Sequence, residues 1–156
     1  MSAPARDFHL RLAQSGDVDS LVNIDTLANS RPGSEARFIA VCENSGLATE
    51  RILVLTRKGE VQGYLSYTQV LDEATILDVA IYPDEQGQGL GGILLSGSLQ
   101  QMLDQGLQRC LLEVRESNLA ARRLYAKSDF QLDGQRKNYY PAKNGREHAL
   151  LMSRKL

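Results

Sequence analysis

Four glycines fall within the seven residues Gln86-Gly87-Gln88-Gly89-Leu90-Gly91-Gly92. The stretch follows an apolar, strand-like run, Thr75 to Tyr82, and precedes a helix-like run from Ile93 to Gln105. Glycine adopts the backbone angles of tight turns at little cost, and a helix N-terminus presents unpaired N–H groups at the positive end of its dipole. Such a turn holds phosphate oxygens through backbone donors, without a basic side chain. No Gly-Lys-Ser/Thr follows the last glycine, which rules out a nucleotide P-loop. No long βαβ unit surrounds the stretch, so it is a poor dinucleotide fingerprint. A plain helix cap or tight turn remains the competing reading, and the rest of the chain decides between them.

The elements that must position this loop are legible from periodicity. Phe8 to Leu12 alternates as a half-buried strand. A helix starting near Ser15 to Asp17 turns Val18, Leu21, Val22 and Ile24 inward, with Leu27 at the margin. Residues 28–34 read as a loop, and a second short helix from Ser34 faces Phe38, Ile39 and Val41 inward. Arg51–Arg57 and Val61–Val70 are strands joined by the turn Lys58-Gly59-Glu60, with Gly63 marking a bulge or a close backbone contact. Leu71-Asp72-Glu73 turns into the strand that feeds the glycines, and Pro83 helps end it. In the following helix Leu90, Ile93, Leu94, Leu99, Met102 and Leu103 recur at three- and four-residue spacings. Gly97 in its middle allows a close helix–sheet approach, and Gly106 stops it. Leu107–Val114 is a strand, a helix capped by Ser117 or Asn118 runs to Lys127, and strands near Phe130–Tyr140 and Glu147–Lys155 flank an Asn144-Gly145 turn. The order β-α-α-β-β-β-α-β-α-β-β implies an α/β (α+β) domain, a mixed sheet with helices on both faces.

Residues 1–156 are read as one domain, 42% hydrophobic and 24% charged. A net charge of −1 offers no general attraction for nucleic acid or anionic membrane. No apolar run approaches the ~20 residues of a membrane span, and Met1 to Arg6 lacks a signal peptide's apolar core. Cys110, inside an apolar strand, reads as a small core residue, and Cys42 has no His or Cys at metal-ligand spacing. His9 and His148 show no obvious partner, and no metal site is visible. The expectation is a reduced, cytoplasmic protein with no direct nucleic-acid or membrane partner, monomeric or weakly dimeric.

Gln86-x-x-Gly89-x-Gly91 resembles the pyrophosphate loop of the GNAT acetyltransferases, which grip coenzyme A. The likeness continues through Leu112-Glu113-Val114-Arg115-Glu116-Ser117-Asn118, Ala120-Ala121 and Leu124-Tyr125. Arg136-Lys137-Asn138-Tyr139-Tyr140-Pro141 and Asn144-Gly145-Arg146-Glu147 are similar to the bacterial ribosomal-protein alanine N-acetyltransferases, and more broadly to protein N-terminal acetyltransferases. The closer likeness runs from about Tyr64 to Met152. It implies the GNAT acyl-CoA N-acyltransferase fold, a mixed, mostly antiparallel sheet of about six to seven strands flanked by about four helices. It also implies acetyl-CoA as cofactor, and direct transfer of acetyl to the α-amino group of a ribosomal or other protein within a ternary complex.

The reaction implied needs a neutral amine, donors for developing oxyanion charge and a proton for the leaving thiolate. An α-amino group titrates near 7.7–8.0, so neutralising it at pH 7 costs only about 1 kcal/mol, whereas a lysine would cost roughly 4.6. Carried over by resemblance, Glu113 is the proton acceptor, working through water, and Tyr125 protonates the sulfur. Without the resemblance, Glu113 is a strand-end carboxylate paired with Arg115 or Arg136, and Tyr125 an aromatic on an apolar stripe beside Leu124 and Ala121. Val79, Ala80 and Ile81 offer backbone groups to the pantetheine arm; Gly87, Gln88, Gly89, Leu90, Gly91 and Gly92 hold the pyrophosphate. Asn118 contacts the cofactor, caps its helix, or both, and Tyr139 and Tyr140 line an acceptor-peptide groove or merely cover a sheet edge.

The chain departs from the family pattern in places. Gly87 and Gly92 replace residues usually basic, and Ser128-Asp129-Phe130 stands for the usual Leu-Gly-Phe, so Asp129 must adopt a left-handed conformation. Residues 27–50 lack the family's Phe-Pro-Trp segment and carry Ser30-Arg31-Pro32-Gly33-Ser34 instead. Two alternatives therefore stand beside N-terminal acetylation: acetylation of a small amine or a lysine side chain, and a non-catalytic acyl-CoA sensor. Glu113 with Tyr125 argues against the sensor, and the tyrosine pair favours a peptide.

Overall fold

A computed structural model describes residues 7–29, 32–44 and 49–156. The expectations resting on Met1 to Arg6, on Ser30 and Arg31, and on residues 45–48 lie outside the described residues. Strands β1 (Phe8–Leu12), β2 (Glu50–Arg57), β3 (Glu60–Val70), β4 (Glu73–Ile81), β5 (Arg109–Arg115), β6 (Gln131–Ala142) and β7 (Gly145–Lys155) form one sheet in the order β1-β2-β3-β4-β5-β7-β6. Every pair is antiparallel except β4 with β5, so β4-α3-β5 is a parallel βαβ unit around the glycine stretch, where the sequence reading expected none. Helices α1 (Val18–Ala28), α2 (Glu35–Glu43), α3 (Leu90–Asp104) and α4 (Leu119–Lys127) complete the fold. The expected mixed sheet, its order of elements and its helix count are all present.

Alternation along the central strands divides the apolar residues into two layers. Ile52, Val54, Tyr64 and Ala80 pack with Leu21 and Ile24 of α1 and Phe38, Val41 and Cys42 of α2. Leu53, Leu55, Leu65 and Tyr67 face the other way, onto Leu94, Leu95, Leu99 and Met102 of α3 and Tyr125 of α4. Three helix faces differ from expectation. Ile39, Leu27 and Leu103 are exposed. In α2, Phe38, Val41 and Cys42 stand at i, i+3 and i+4 and form the buried stripe, which rotates Ile39 outward. In α3, Leu95 and Ser98 are buried where Leu103 was expected to be.

Local chemistry sets the element ends. Arg11 donates to both oxygens of Asp17 at 2.7 and 2.9 Å, and Asp17 also accepts from the Gln14 N–H, closing the entry to α1. The Ser34 hydroxyl caps α2 by accepting from the Arg37 N–H. Gly106 leaves α3 with φ +86°, and Asp129 leaves α4 with φ +66° despite its side chain. Both cysteines are buried, and burial pushes the Cys110 thiol up to about 12. No described helix is long and apolar enough to cross a membrane.

Two glycines permit close approaches. A Cβ on Gly97 of α3 would lie 3.0 Å from Leu10 Cδ2 on β1. A Cβ on Gly63 would lie 2.7 Å from the Ala80 carbonyl oxygen and 2.6 Å from Ile81 Cδ1. At the same place β3 bulges, since Leu55 pairs with Gly63 but Thr56 with Val61. Gly63→Ala forces β3 and β4 apart and is expected to lower unfolding free energy by about 1–3 kcal/mol, read as a lower urea midpoint with unchanged slope.

Candidate active site

The parallel register between β4 and β5 runs from Glu73↔Arg109 to Ile76↔Leu112 and stops. Beyond it β4 remains paired to β3 up to Gly63↔Ile81, while β5 remains paired to β7 up to Arg115↔Ala149. A bulge lies at the point of separation, where Tyr67 pairs with Ile76 but Ser66 with Asp78, leaving Leu77 unmatched. A cleft of about 730 Å³ opens between the parted strands. Its lining takes in Asp78, Val79 and Ile81 of β4, Glu113, Val114 and Arg115 of β5, and Tyr125 of α4.

Backbone direction follows from alternation. The Tyr82 N–H donates to the Gln62 carbonyl, so Tyr82 and, two residues back, Ala80 are turned to β3. Val79 and Ile81 are offset by one and turn their backbone groups to the cleft. The Ile81 carbonyl there accepts from Gln86 Nε2 at 3.1 Å. Of the three β4 positions expected to meet a ligand, Val79 and Ile81 line the cleft, whereas Ala80 is buried on the α1/α2 face.

The glycine loop closes one end. Gly87 and Gly89 have φ of +81° and +80°, angles that side chains disfavour. Gly89 is the N-cap of α3 and brings no side chain to cap the helix's first turn. The helix begins at Leu90, three residues before the sequence-based start, so Gly91 and Gly92 lie within its first turn. Its early N–H groups are therefore the unpaired donors of a helix terminus. A Cβ on Gly87 or Gly89 would meet nothing within 4 Å, so dihedral angle rather than crowding demands glycine at both. Gln86, Gly87, Gly89, Leu90 and Gly91 line the cleft; Gln88 and Gly92 do not. A concave row of backbone donors at a 15-residue helix fits a diphosphate.

The two faces of the sheet reach the cleft from opposite sides. Leu112 and Val114 belong to the α3/α4 core, so Glu113 between them points to the α1/α2 face. Tyr125 approaches from the α3/α4 side, only 6% exposed, with its ring edge-on to Phe130 at 5.7 Å. Burial pushes its phenol above the ordinary tyrosine value, with Asp78 contributing in the same direction. Glu113 Oε1 lies 3.2 Å from Arg136 Nη2. Arg115 instead donates to Glu147 Oε1 at 3.0 Å and to the Pro141 carbonyl at 2.8 Å, and its guanidinium lies 4.4 Å from the Tyr140 ring centre. Tyr140 lines the cleft; Tyr139 packs edge-on against it at 5.0 Å but stays outside the lining. Asn118 accepts from the Ala121 N–H as the N-cap of α4, as expected, and it also lines the cleft.

Sequence reasoning missed a polar network on the α1/α2 side. The Tyr64 hydroxyl lies 3.2 Å from Asp25 Oδ1 and 3.1 Å from Asp78 Oδ2. Asp25, 2% exposed, also accepts from Asn29 Nδ2 and from the Gly33 N–H at 2.7 Å. Arg37 donates to Glu50 at 2.6 Å and to the Ser66 hydroxyl at 3.0 Å. The available signal was Asp78 itself, a lone carboxylate inside the apolar run Ile76 to Ile81. His148 also has a partner, because its Nδ1 accepts from the Asn138 N–H at 3.0 Å.

Comparison with known proteins gives a consistent result. Residues 18–130 match the acetyltransferase (GNAT) family. The [ribosomal protein bS18]-alanine N-acetyltransferase of Escherichia coli is 37% identical over 142 residues, covering 90% of this chain and 92% of that one. Its counterpart in Haemophilus influenzae is 40% identical over 140 residues, covering 88% and 91%. The crystal structure of the Escherichia coli ribosomal-protein-S18-alanine N-acetyltransferase superposes with a TM-score of 0.85 at 34% identity, over 95% of this chain and 93% of that one.

The Asn118 cap is separable from any ligand contact. Asn118→Ala is expected to cost about 1 kcal/mol of stability, while Asn118→Ser or Asn118→Asp, which retain a capping oxygen, restore most of it in thermal or urea unfolding.

Proposed function

The chain belongs to the GNAT acetyltransferase family, and from that premise we propose that it acetylates the α-amino group of a protein N-terminus, with a ribosomal protein as acceptor and acetyl-CoA as donor. The observation that carries this reading is the placement of Glu113 and Tyr125 on the lining of one cleft, approached from opposite sheet faces, with the α3 terminus at its end. The named activity of relatives covering about nine-tenths of the chain supports the acceptor class. Residues 1–156 act as one catalytic domain.

When bound, acetyl-CoA would supply a thioester whose acetyl group could be transferred directly to the amine. The α3 N-terminus and the left-handed Gly87 and Gly89 hold the diphosphate. Cleft-facing backbone groups of Val79 and Ile81 orient the pantetheine arm as a further strand would be oriented. Glu113 accepts a proton from the attacking nitrogen, directly or through one water, and Arg136 fixes the carboxylate's orientation. Tyr125, kept protonated by burial, donates to the departing sulfur. Tyr140, held by Arg115, forms the wall against which the acceptor peptide lies. Because the transfer is direct, no covalent acyl-enzyme forms.

Glu113→Gln is expected to lower kcat by about 100-fold or more, to move the pH optimum upward as the amine must lose its proton unaided, and to leave the acetyl-CoA KM within about twofold. Tyr125→Phe is expected to slow kcat by about 100-fold at unchanged KM for both substrates. Full activity of either variant at neutral pH removes the role assigned to that residue. The function itself is tested by release of free thiol from acetyl-CoA with an alanine-starting peptide, its Nα-acetylated twin and spermidine. Turnover of the free peptide alone supports the proposal, and turnover of spermidine alone overturns it in favour of a small-amine acceptor.

A further inference from the structure

An ammonium group that becomes an amide nitrogen sheds two protons: one leaves to give the neutral amine, the second as the new C–N bond forms. The proton given to the thiolate by Tyr125 is replaced by one of these, and the other goes to solvent. Glu113 can hold only one proton at a time, so a second acceptor beside it would let the amine enter the cleft still charged.

The cleft contains a suitable group. Asp78 lies on its lining, on β4 immediately after the bulge at Leu77. Its register partner is Ser66, and with Tyr64 and Ala80 it belongs to the α1/α2 face of the sheet. Glu113 points to that same face from β5, so the two carboxylates stand on opposite banks of the parting strands. Asp78 Oδ2 receives the Tyr64 hydroxyl, and among the described residues Oδ1 has no hydrogen-bond partner. Tyr64 has one hydroxyl proton for two carboxylates, Asp25 and Asp78. Asp25 is already served by Asn29 and Gly33, whereas Asp78 depends on the shared hydroxyl. A proton on Asp78 would complete the row: Asp78 could then donate to Tyr64, and Tyr64 to Asp25.

Resting on the N-terminal acetylation reading, we infer that Asp78 is a second catalytic carboxyl group, which pairs with the acceptor's ammonium and takes its first proton, with Tyr64 and Asp25 as positioning residues. The step balances as ammonium plus carboxylate giving amine plus carboxylic acid; Asp78 then returns its proton to water through the open cleft. Glu113 takes the second proton as the amide forms. The groups facing Asp78 are Tyr64 from β3, Asp25 from α1, Arg37 from α2, Glu50 from β2 and Tyr125 from α4. Burial raises the Asp78 carboxyl above the usual range, opposed by the Tyr64 hydroxyl and Arg37, which makes it a better proton acceptor than a surface aspartate.

The test is the pH dependence of kcat/KM for Asp78→Asn against the unaltered protein, on the alanine-starting peptide or, if only spermidine is turned over, on spermidine. An amine titrating near 8 is only about 3% neutral at pH 6.5 but about 90% neutral at pH 9. With the peptide, the variant is expected to be about tenfold or more slower at pH 6.5 and within about threefold at pH 9, with the acetyl-CoA KM unchanged. With spermidine, whose amines titrate higher, the deficit closes at correspondingly higher pH. A deficit equal at every pH, or none, overturns the assignment. Failure of the unaltered protein to acetylate the peptide while it acetylates spermidine overturns the acceptor reading instead. Should Asp78→Asn fail to fold, Tyr64→Phe retains the carboxylate but removes the hydroxyl that favours its charged form. Its acid limb is then expected to move upward by about half a pH unit or more, and an unmoved limb overturns the inference.

Discussion

A β-strand cannot stay paired on both edges when its two neighbours diverge, and the site is built on that conflict. β4 shares only four register pairs with β5 before following β3, while β5 follows β7 along its whole length. The bulge at Leu77 absorbs the mismatch on the β3 side. Here the edge groups of the parted strands are left facing a cleft, where a ligand can complete them. Removal of the divergence would remove the cleft, the backbone groups at Val79 and Ile81, and the separation of Glu113 from β4.

The same divergence lets chemistry be divided between the two sheet faces. The α3 N-terminus and the buried Tyr125 reach the gap from one side, and Glu113 and Asp78 from the other. The gap between the strands is thus lined by groups from both sheet faces. With a net charge of −1, the protein has no general field to draw in a polyanion. Oriented N–H groups at the α3 end supply local positive potential, while Glu113 and Asp78 make the other side of the cleft acidic.

Arginines hold the β6–β7 side of the cleft together. Arg115 joins β5 to Glu147 on β7 and to Pro141 on β6 while stacking on Tyr140. Arg136 crosses from β6 to Glu113 and also covers Tyr139 at 5.3 Å. The two tyrosines therefore sit in a fixed pair, one ring at the cleft and one outside it.

Much was legible in the sequence because it depends on local properties. The strand Phe8–Leu12, the hairpin turns, the start of α2 after Ser34, a cap for α4 at Ser117 or Asn118, the left-handed Asp129 and the glycine loop follow from alternation, capping chemistry and dihedral preference, each set within a few residues. The start of α3 did not, because Gly91 and Gly92 are weak helix formers whose helical state rests on the packing of Leu90 and Leu94. Helix faces were misjudged at Ile39, Leu27 and Leu103, since periodicity finds an apolar stripe but not its rotation against a particular sheet. Tertiary structure alone chose Arg136 over Arg115 as the partner of Glu113, placed Tyr140 rather than Tyr139 at the cleft, and gathered Asp25, Tyr64 and Asp78 around one hydroxyl. Those outcomes depend on strand register and on where β4 leaves β5, and both are settled by pairing across the sheet between residues far apart in the chain.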